Sequence, residues 1–392
     1  MPYFTFPVSV RYPQLSIDDL LSMDLGKEYQ LLPVGKPGDT RTYFQSAVPP
    51  KLQSVTKKAA RTYALAAFCS KYQDLYDVPR HSLYHSFSIP KRNGKWRKID
   101  APLEPLMVAL RELKTIFETE FGASHHTSAF AYAQGRAAVS AVQRHQQNDS
   151  KWFLKLDCSN FFGSTTKDFT MRMLAQVWPF SEICEEASAR PYLERAIDLA
   201  FLDGVLPQGT PLSPLLTNVI MIPFDHEVSN SLRDFGGNHL IYTRYADDLT
   251  ISCRYDFKWT DVSKFIEQTF VKFDAPYRLN YEKTHYGSCS GRNWILGVMY
   301  NKDRQITLGK KRKDALRASI WEYAHSRGTD RAWGFSDLKS LDGTIAYFNS
   351  IEPAWTKALL DHYYAKLGFN VVSTLRYDIK KFTSGEPIHF TF

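Results

Sequence analysis

A chain of 392 residues that is 44% hydrophobic and 23% charged has the balance of a folded globular protein and room for two or three subdomains. Its longest apolar runs, such as residues 64–69, are far too short to span a bilayer, and its first residues, MPYFTFPVSVRYPQ, lack a basic region leading into an apolar stretch; neither a membrane span nor a secretory leader is expected. The net charge of +8 is clustered, in SIPKRNGKWRK (88–98) and KDRQITLGKKRKDALR (302–317), which suits a phosphate-backbone partner as well as it suits a solvated face.

Residues 1–83 mix Pro and Gly punctuation with a helix-like run, SVTKKAARTYALAAFCSKYQDLY, and carry no motif. From residue 84, two strand-like pieces flank Asn93-Gly94, a strong hairpin signal. Leu103, Leu106, Met107, Leu110, Leu113, Phe117 and Phe121 then recur at spacings of three and four, which predicts an amphipathic helix. KWFLKLD (151–157) reads as a buried strand ending in Asp157, and GVLPQGTPLSPLLTNVIMIPF as a marked turn entering an apolar helix. HLIYTRYADDLTISCRY (239–255) reads as a hairpin with Asp247 and Asp248 at its tip, and NWILGVMYN with RQITLG as another. Beyond residue 310 the pattern is helical, with Leu338, Leu341, Ile345 and Phe348 on one face after a Ser336 cap. The five cysteines (69, 158, 184, 253 and 289) are scattered without a CxxC pair, which argues against a disulfide framework or zinc site and for a reducing, cytoplasmic setting.

Two strands thus end in acids: Asp157 in one, Asp247 and Asp248 in the other. A lone Asp-Asp is most often a plain turn. Acids converging from separate strands, however, suit a hard cation such as Mg²⁺, which binds a few carboxylates together with substrate phosphates. Two such ions sit roughly 3.5–4 Å apart in enzymes that displace a leaving group at phosphorus. HH at 125–126 and DHE at 225–227 lack ligand spacing to any partner cluster and read as polar surface.

LDCSNFF (156–162), LPQGTPLSP (206–214), YADD (245–248), LNYEKT (279–284) and NWILGVMYN (293–301) resemble the reverse transcriptase motifs A, B, C, D and E, in that order. FSIPKRNGKWRKIDAP (87–102) and AYAQGRAAVSAVQRH (131–145) are similar to the two fingers motifs of the same family. The resemblance implies an α+β right-hand polymerase: fingers (84–151), a palm of antiparallel sheet with packed helices (152–301), a helical thumb (302–366) and a tail (367–392), behind an N-terminal extension of unassigned role (1–83). Carried over by position, it implies two Mg²⁺ ions (Mn²⁺ able to substitute) on Asp157, Asp247 and Asp248, with the Cys158 carbonyl a further ligand. Phe162 matches the steric gate against a ribose 2′-hydroxyl. Gln208 and Gly209 match the segment against the incoming nucleotide; Lys91, Arg92 and Arg97 match the triphosphate grip. Lys283 matches a lysine that protonates pyrophosphate, and Arg136 a template contact.

Retron enzymes carry Asn-Ala-x-x-His after motif B and Val-Thr-Gly near motif E, where this chain reads TNVIMIPFDH and ILGVMY. On that count it looks most like stand-alone bacterial defence-associated reverse transcriptases. The implied function is RNA-directed DNA synthesis from dNTPs on a noncoding RNA template in antiphage defence. The alternatives are a retron-type enzyme making short RNA-linked DNA and a maturase-like RNA-binding protein. A homo-oligomer or a protein partner is left open.

Overall fold

The computed structural model of the protein describes residues 50–90, 94, 96–290, 293–329 and 331–384. In chain order, helix α1 (Pro50–Lys71) precedes β1 (Tyr84–Pro90), β2 (Trp96–Pro102), α2 (Glu104–Thr119) and α3 (Ala138–Gln147). Strand β3 (Trp152–Asp157) is followed by α4 (Phe161–Ser164), α5 (Lys167–Leu174), α6 (Phe180–Cys184), α7 (Arg190–Asp198), α8 (Ser213–Ile220) and α9 (Ile222–Ser231). Next come β4 (Ile241–Tyr245), β5 (Asp248–Cys253), α10 (Trp259–Lys272), β6 (His285–Ser288), β7 (Asn293–Ile295), β8 (Val298–Tyr300) and β9 (Ile306–Thr307). Four helices close the described chain: α11 (Gly309–Ser326), α12 (Phe335–Ile351), α13 (Pro353–Leu367) and α14 (Val371–Ser384). The strands form three antiparallel sheets, ordered β1-β2, β4-β5-β3-β6 and β7-β8-β9.

The chain divides into two compact units. One gathers residues up to His126, Asn160–Pro223 and Asp274–Tyr277. In it the predicted amphipathic helix is α2, which buries Leu106, Ala109, Leu110, Leu113 and Phe117. Leu103, counted in the same stripe from sequence, precedes the helix at its N-cap and is exposed. Phe121 stacks on Phe180 with ring centroids 4.5 Å apart. Beside them the buried Arg61 donates to the Glu120 carbonyl and to Glu182, each at 2.9 Å.

The other unit holds Thr127–Ser159, Phe224–Phe273 and the chain from Arg278 onward, and so contains the four-stranded sheet and the last four helices. Phe153 on β3 joins one apolar core with Tyr300, Leu316, Ile320, Tyr323 and Leu375. Leu338, Leu341, Ile345 and Phe348 are all buried on α12 as their spacing predicts, each worth roughly 1.5–3 kcal/mol of transfer free energy. The helix starts after Gly334 rather than at a Ser336 cap, because Ser336 already has a place in the first turn. The expected long hairpin of NWILGVMYN with RQITLG is a three-stranded ribbon. Its tight turn is Leu296-Gly297, both at positive φ, which a two-residue hairpin turn favours.

One buried ion pair braces this sheet. Arg244 on β4 is fully buried, as is Asp225 on α9. The guanidinium grips the carboxylate at both oxygens, with Nε at 2.9 and 3.1 Å and Nη2 at 2.7 Å. The Tyr242 hydroxyl donates to the same carboxylate at 2.8 Å. The Arg244 backbone also accepts from Phe130 N–H at 2.8 Å and donates to the Ser128 carbonyl at 2.7 Å. Asp225 is therefore core, not the polar surface that DHE suggested. Its partner is nineteen residues on, beyond what local spacing reveals.

Desolvation offsets most of the attraction in such a pair, yet orphaning one member costs roughly 3–5 kcal/mol. Arg244→Met should lose about that much stability in urea unfolding, whereas Arg244→Met with Asp225→Leu should lose far less than the sum of the two single changes. Additive losses would show that the two groups do not depend on each other.

Candidate active site

The acids owe their places to strand register. In the β3–β5 ladder Asp157 lies directly opposite Asp248, and directly opposed residues in an antiparallel pair extend to the same face. Asp248 opens β5 rather than lying in the turn; the turn residues are Ala246 and Asp247. Ala246 has φ +56°, a left-handed conformation that costs a residue with a Cβ roughly 1–2 kcal/mol. Two contacts hold it there: the buried Arg244 guanidinium donates to the Ala246 carbonyl at 3.4 Å, and Cys158 N–H donates to the Asp247 carbonyl at 3.0 Å. The end of β3 is pinned from its other side as well, by Asn280 N–H to the Asp157 carbonyl at 2.8 Å and Ser159 N–H to the Arg278 carbonyl at 2.9 Å.

Charge at this corner is unbalanced. Burial, and then the negative charges of Asp247 and Asp157, push the Asp248 carboxyl up to about 6, with Lys283 opposing. Asp248 as a whole residue is exposed, so solvent screens part of that repulsion. Lys283 places its ammonium 2.9 Å from both Asp157 oxygens, and this bond raises its own pKa. Burial, with Asp247 and Asp157 next, drives the Cys158 thiol upward, so its sulfur stays protonated and only its main chain is available as a ligand.

Among the described residues no three Asp, Glu, His or Cys side chains are closed around a common point as they stand. The donor set still fits a hard divalent cation: the carboxylates are oxygen ligands, and a cationic group, the Lys283 ammonium, already sits on one of them.

The nucleotide-contact candidates of the first unit form a second group. Phe161 is buried against Tyr277, ring centroids 4.8 Å apart, and Tyr277 shares a 2.9 Å hydrogen bond with Thr165. Phe162 is only half-buried, so the two neighbouring rings differ as core and surface. Gln208 accepts from Asp100 N–H at 2.9 Å, which joins its loop to β2, the strand of Arg97. Gly209 has φ +117°, and a Cβ there would lie 2.9 Å from the Ile99 side chain and 3.1 Å from the Asp100 carbonyl. Glycine is therefore required by the backbone itself, before any nucleotide is considered. Arg97 is exposed, whereas Lys91 and Arg92 lie outside the described residues.

Arg136 is committed to main chain, donating to the carbonyls of Thr127 at 3.0 Å and Ala129 at 2.6 Å. The residues that sequence reasoning missed are Arg244, Asp225 and Tyr242, which hold the Asp247 turn. A basic residue two positions before an Ala-Asp-Asp turn, within an otherwise apolar strand, was the available signal. In the 302–317 cluster, Arg312 lies over Trp294 and Lys313 pairs with Glu352 at 2.6 Å, while Lys310 and Lys311 are exposed.

Comparison with known proteins gives the family. A family model described as reverse transcriptase (RNA-dependent DNA polymerase) matches residues 89–312, more than half of the chain. The retron Ec83 reverse transcriptase of Escherichia coli is 27% identical over 305 residues, 77% of this chain and 91% of that protein. The retron Ec73 reverse transcriptase of the same species is 25% identical over 244 residues, 62% and 73% of the two chains. Both relatives are retron enzymes, the group from which the sequence reading sets this chain apart at TNVIMIPFDH and ILGVMY. The chain belongs to the reverse transcriptase family and is an RNA-directed DNA polymerase.

Proposed function

We propose that Asp157, Asp247 and Asp248 hold two Mg²⁺ ions for template-directed addition of dNTPs. Enzymes of this family use divalent metal ions, which activate the attacking hydroxyl and neutralise the departing pyrophosphate. The observation that carries the reading is the register of Asp157 against Asp248, with Asp247 fixed at a strained turn beside them. The rest falls to the chain's own residues. Phe162, half-buried beside a core ring, excludes a ribose 2′-hydroxyl by steric clash and desolvation. Gln208 and Gly209 bear on the incoming nucleotide, and Arg97, with Lys91 and Arg92, on its triphosphate. The template we propose is a cognate noncoding RNA, and the biological setting antiphage defence. In these terms residues 84–151 are fingers, 152–301 palm and 302–366 thumb.

Asp157→Asn or Asp247→Asn should abolish primer extension while leaving the unfolding transition nearly in place, because relief of carboxylate repulsion offsets the exposed Lys283 pair that Asp157→Asn gives up. Extension near the wild-type rate with Mg²⁺ in either variant would refute the metal site.

Phe162→Ala should admit rNTPs in single-nucleotide extension with modest loss of dNTP use. Phe161→Ala should chiefly lose stability, by about 3–5 kcal/mol, through the cavity left in the core. Relaxed sugar choice in Phe161→Ala alone would shift the gate to that ring.

Each phosphate contact contributes roughly −0.7 to −0.9 to the slope of log affinity against log salt. Lys310→Gln with Lys311→Gln should therefore make the slope for RNA binding shallower by about 1.5. Arg312 and Lys313 are left intact because their charges serve contacts within the chain. An unchanged slope would make the exposed lysines a solvated face only.

A further inference from the structure

We propose that Lys283 is the resident counter-cation of the catalytic carboxylates, holding Asp157 in the metal-free enzyme and giving way when a divalent cation arrives. This inference rests on the metal-site reading above and assigns Lys283 a role before catalysis, in addition to any service to the leaving pyrophosphate.

Three observations carry it. The ammonium engages both oxygens of Asp157 at an equal 2.9 Å, so it covers the carboxylate end-on as a bound ion does. The backbone beneath it is tied to the catalytic strand: Lys283 N–H donates to the Asn280 carbonyl at 3.1 Å, and Asn280 N–H to the Asp157 carbonyl at 2.8 Å. The side chain above that anchor is 57% exposed, whereas Asp157 is 13% exposed. A fixed base with a solvated, four-carbon arm lets the cation leave its partner while remaining within reach of the site.

The contrast with Arg244 and Asp225 is informative. That pair is desolvated, bidentate through a planar guanidinium and supported by Tyr242, which is the form of a permanent brace. Lys283 and Asp157 have the form of an exchangeable one. Asp247 and Asp248 also bear on the ammonium electrostatically, so its departure leaves three carboxylates to a newcomer of higher charge.

Mutual exclusion on Asp157 makes metal affinity the quantity to measure. Binding of Mn²⁺ to the full chain, without primer or nucleotide, is read from the loss of the free-ion electron paramagnetic resonance signal at low ionic strength. Lys283→Met and Lys283→Gln should each bind Mn²⁺ roughly two- to fivefold more tightly than wild type, the range set by the strength of an exposed ion pair. Lys283→Arg, which keeps the charge, should stay close to wild type. Asp157→Asn should lose the tightest Mn²⁺ binding. Equal or weaker Mn²⁺ binding by both neutral variants, with Asp157→Asn defective, would overturn the counter-cation role and leave the metal site standing. Unchanged binding in Asp157→Asn would overturn both.

Discussion

The β3–β5 ladder sets Asp157 face to face with Asp248, and most of what is distinctive about this protein follows from the cost of that pairing. Like charges directly opposed across a sheet are destabilising. Here a third carboxylate, Asp247, stands next in the chain. The register is not free to slip away from the repulsion, since a shift of one residue would turn every side chain of β3 to the other face. Phe153 would then leave the core it shares with Tyr300, and Leu154 and Leu156 would leave their own buried places. Apolar burial thus imposes an electrostatic conflict at the strand ends, which nearby positive charge relieves.

The fold meets that conflict with two cations of opposite character. Arg244 is buried; by holding Asp225, which also accepts from Tyr242, and the Ala246 carbonyl, it keeps the turn in its left-handed conformation. Its charge is balanced by Asp225, so it braces the clustered acids without neutralising them. Lys283 is solvated and lies directly on Asp157. An arrangement with Arg244 alone would leave the acids without a direct cationic partner, whereas Lys283 reaches Asp157 from solvent. The division of labour keeps the corner both rigid in backbone and open in charge.

Much of this was legible in the chain. The strand ending at Asp157, the α2 stripe and the four α12 core residues follow from periodicity, because each has a buried face that local spacing reports. The order of motifs identified the family, and Phe162 is half-buried beside the buried Phe161. What sequence did not reveal depends on long-range partners. Asp225 looked like surface because its neighbours are His226 and Glu227, while the arginine that buries it lies on another element. Lys283 and Asp157 meet across 126 residues. Gly209 was read as a close approach to the nucleotide, and a Cβ there would also meet the Ile99 side chain and the Asp100 carbonyl on β2.

The central claim is that strand register makes one cation site of Asp157, Asp247 and Asp248. Anomalous diffraction at the manganese edge, from crystals of the full chain grown with Mn²⁺ and a non-hydrolysable dNTP, tests it most directly. The account predicts anomalous peaks bounded by the three carboxylates, with the Lys283 ammonium withdrawn from Asp157. Manganese bound elsewhere, with Lys283 still seated on both Asp157 oxygens, would contradict it.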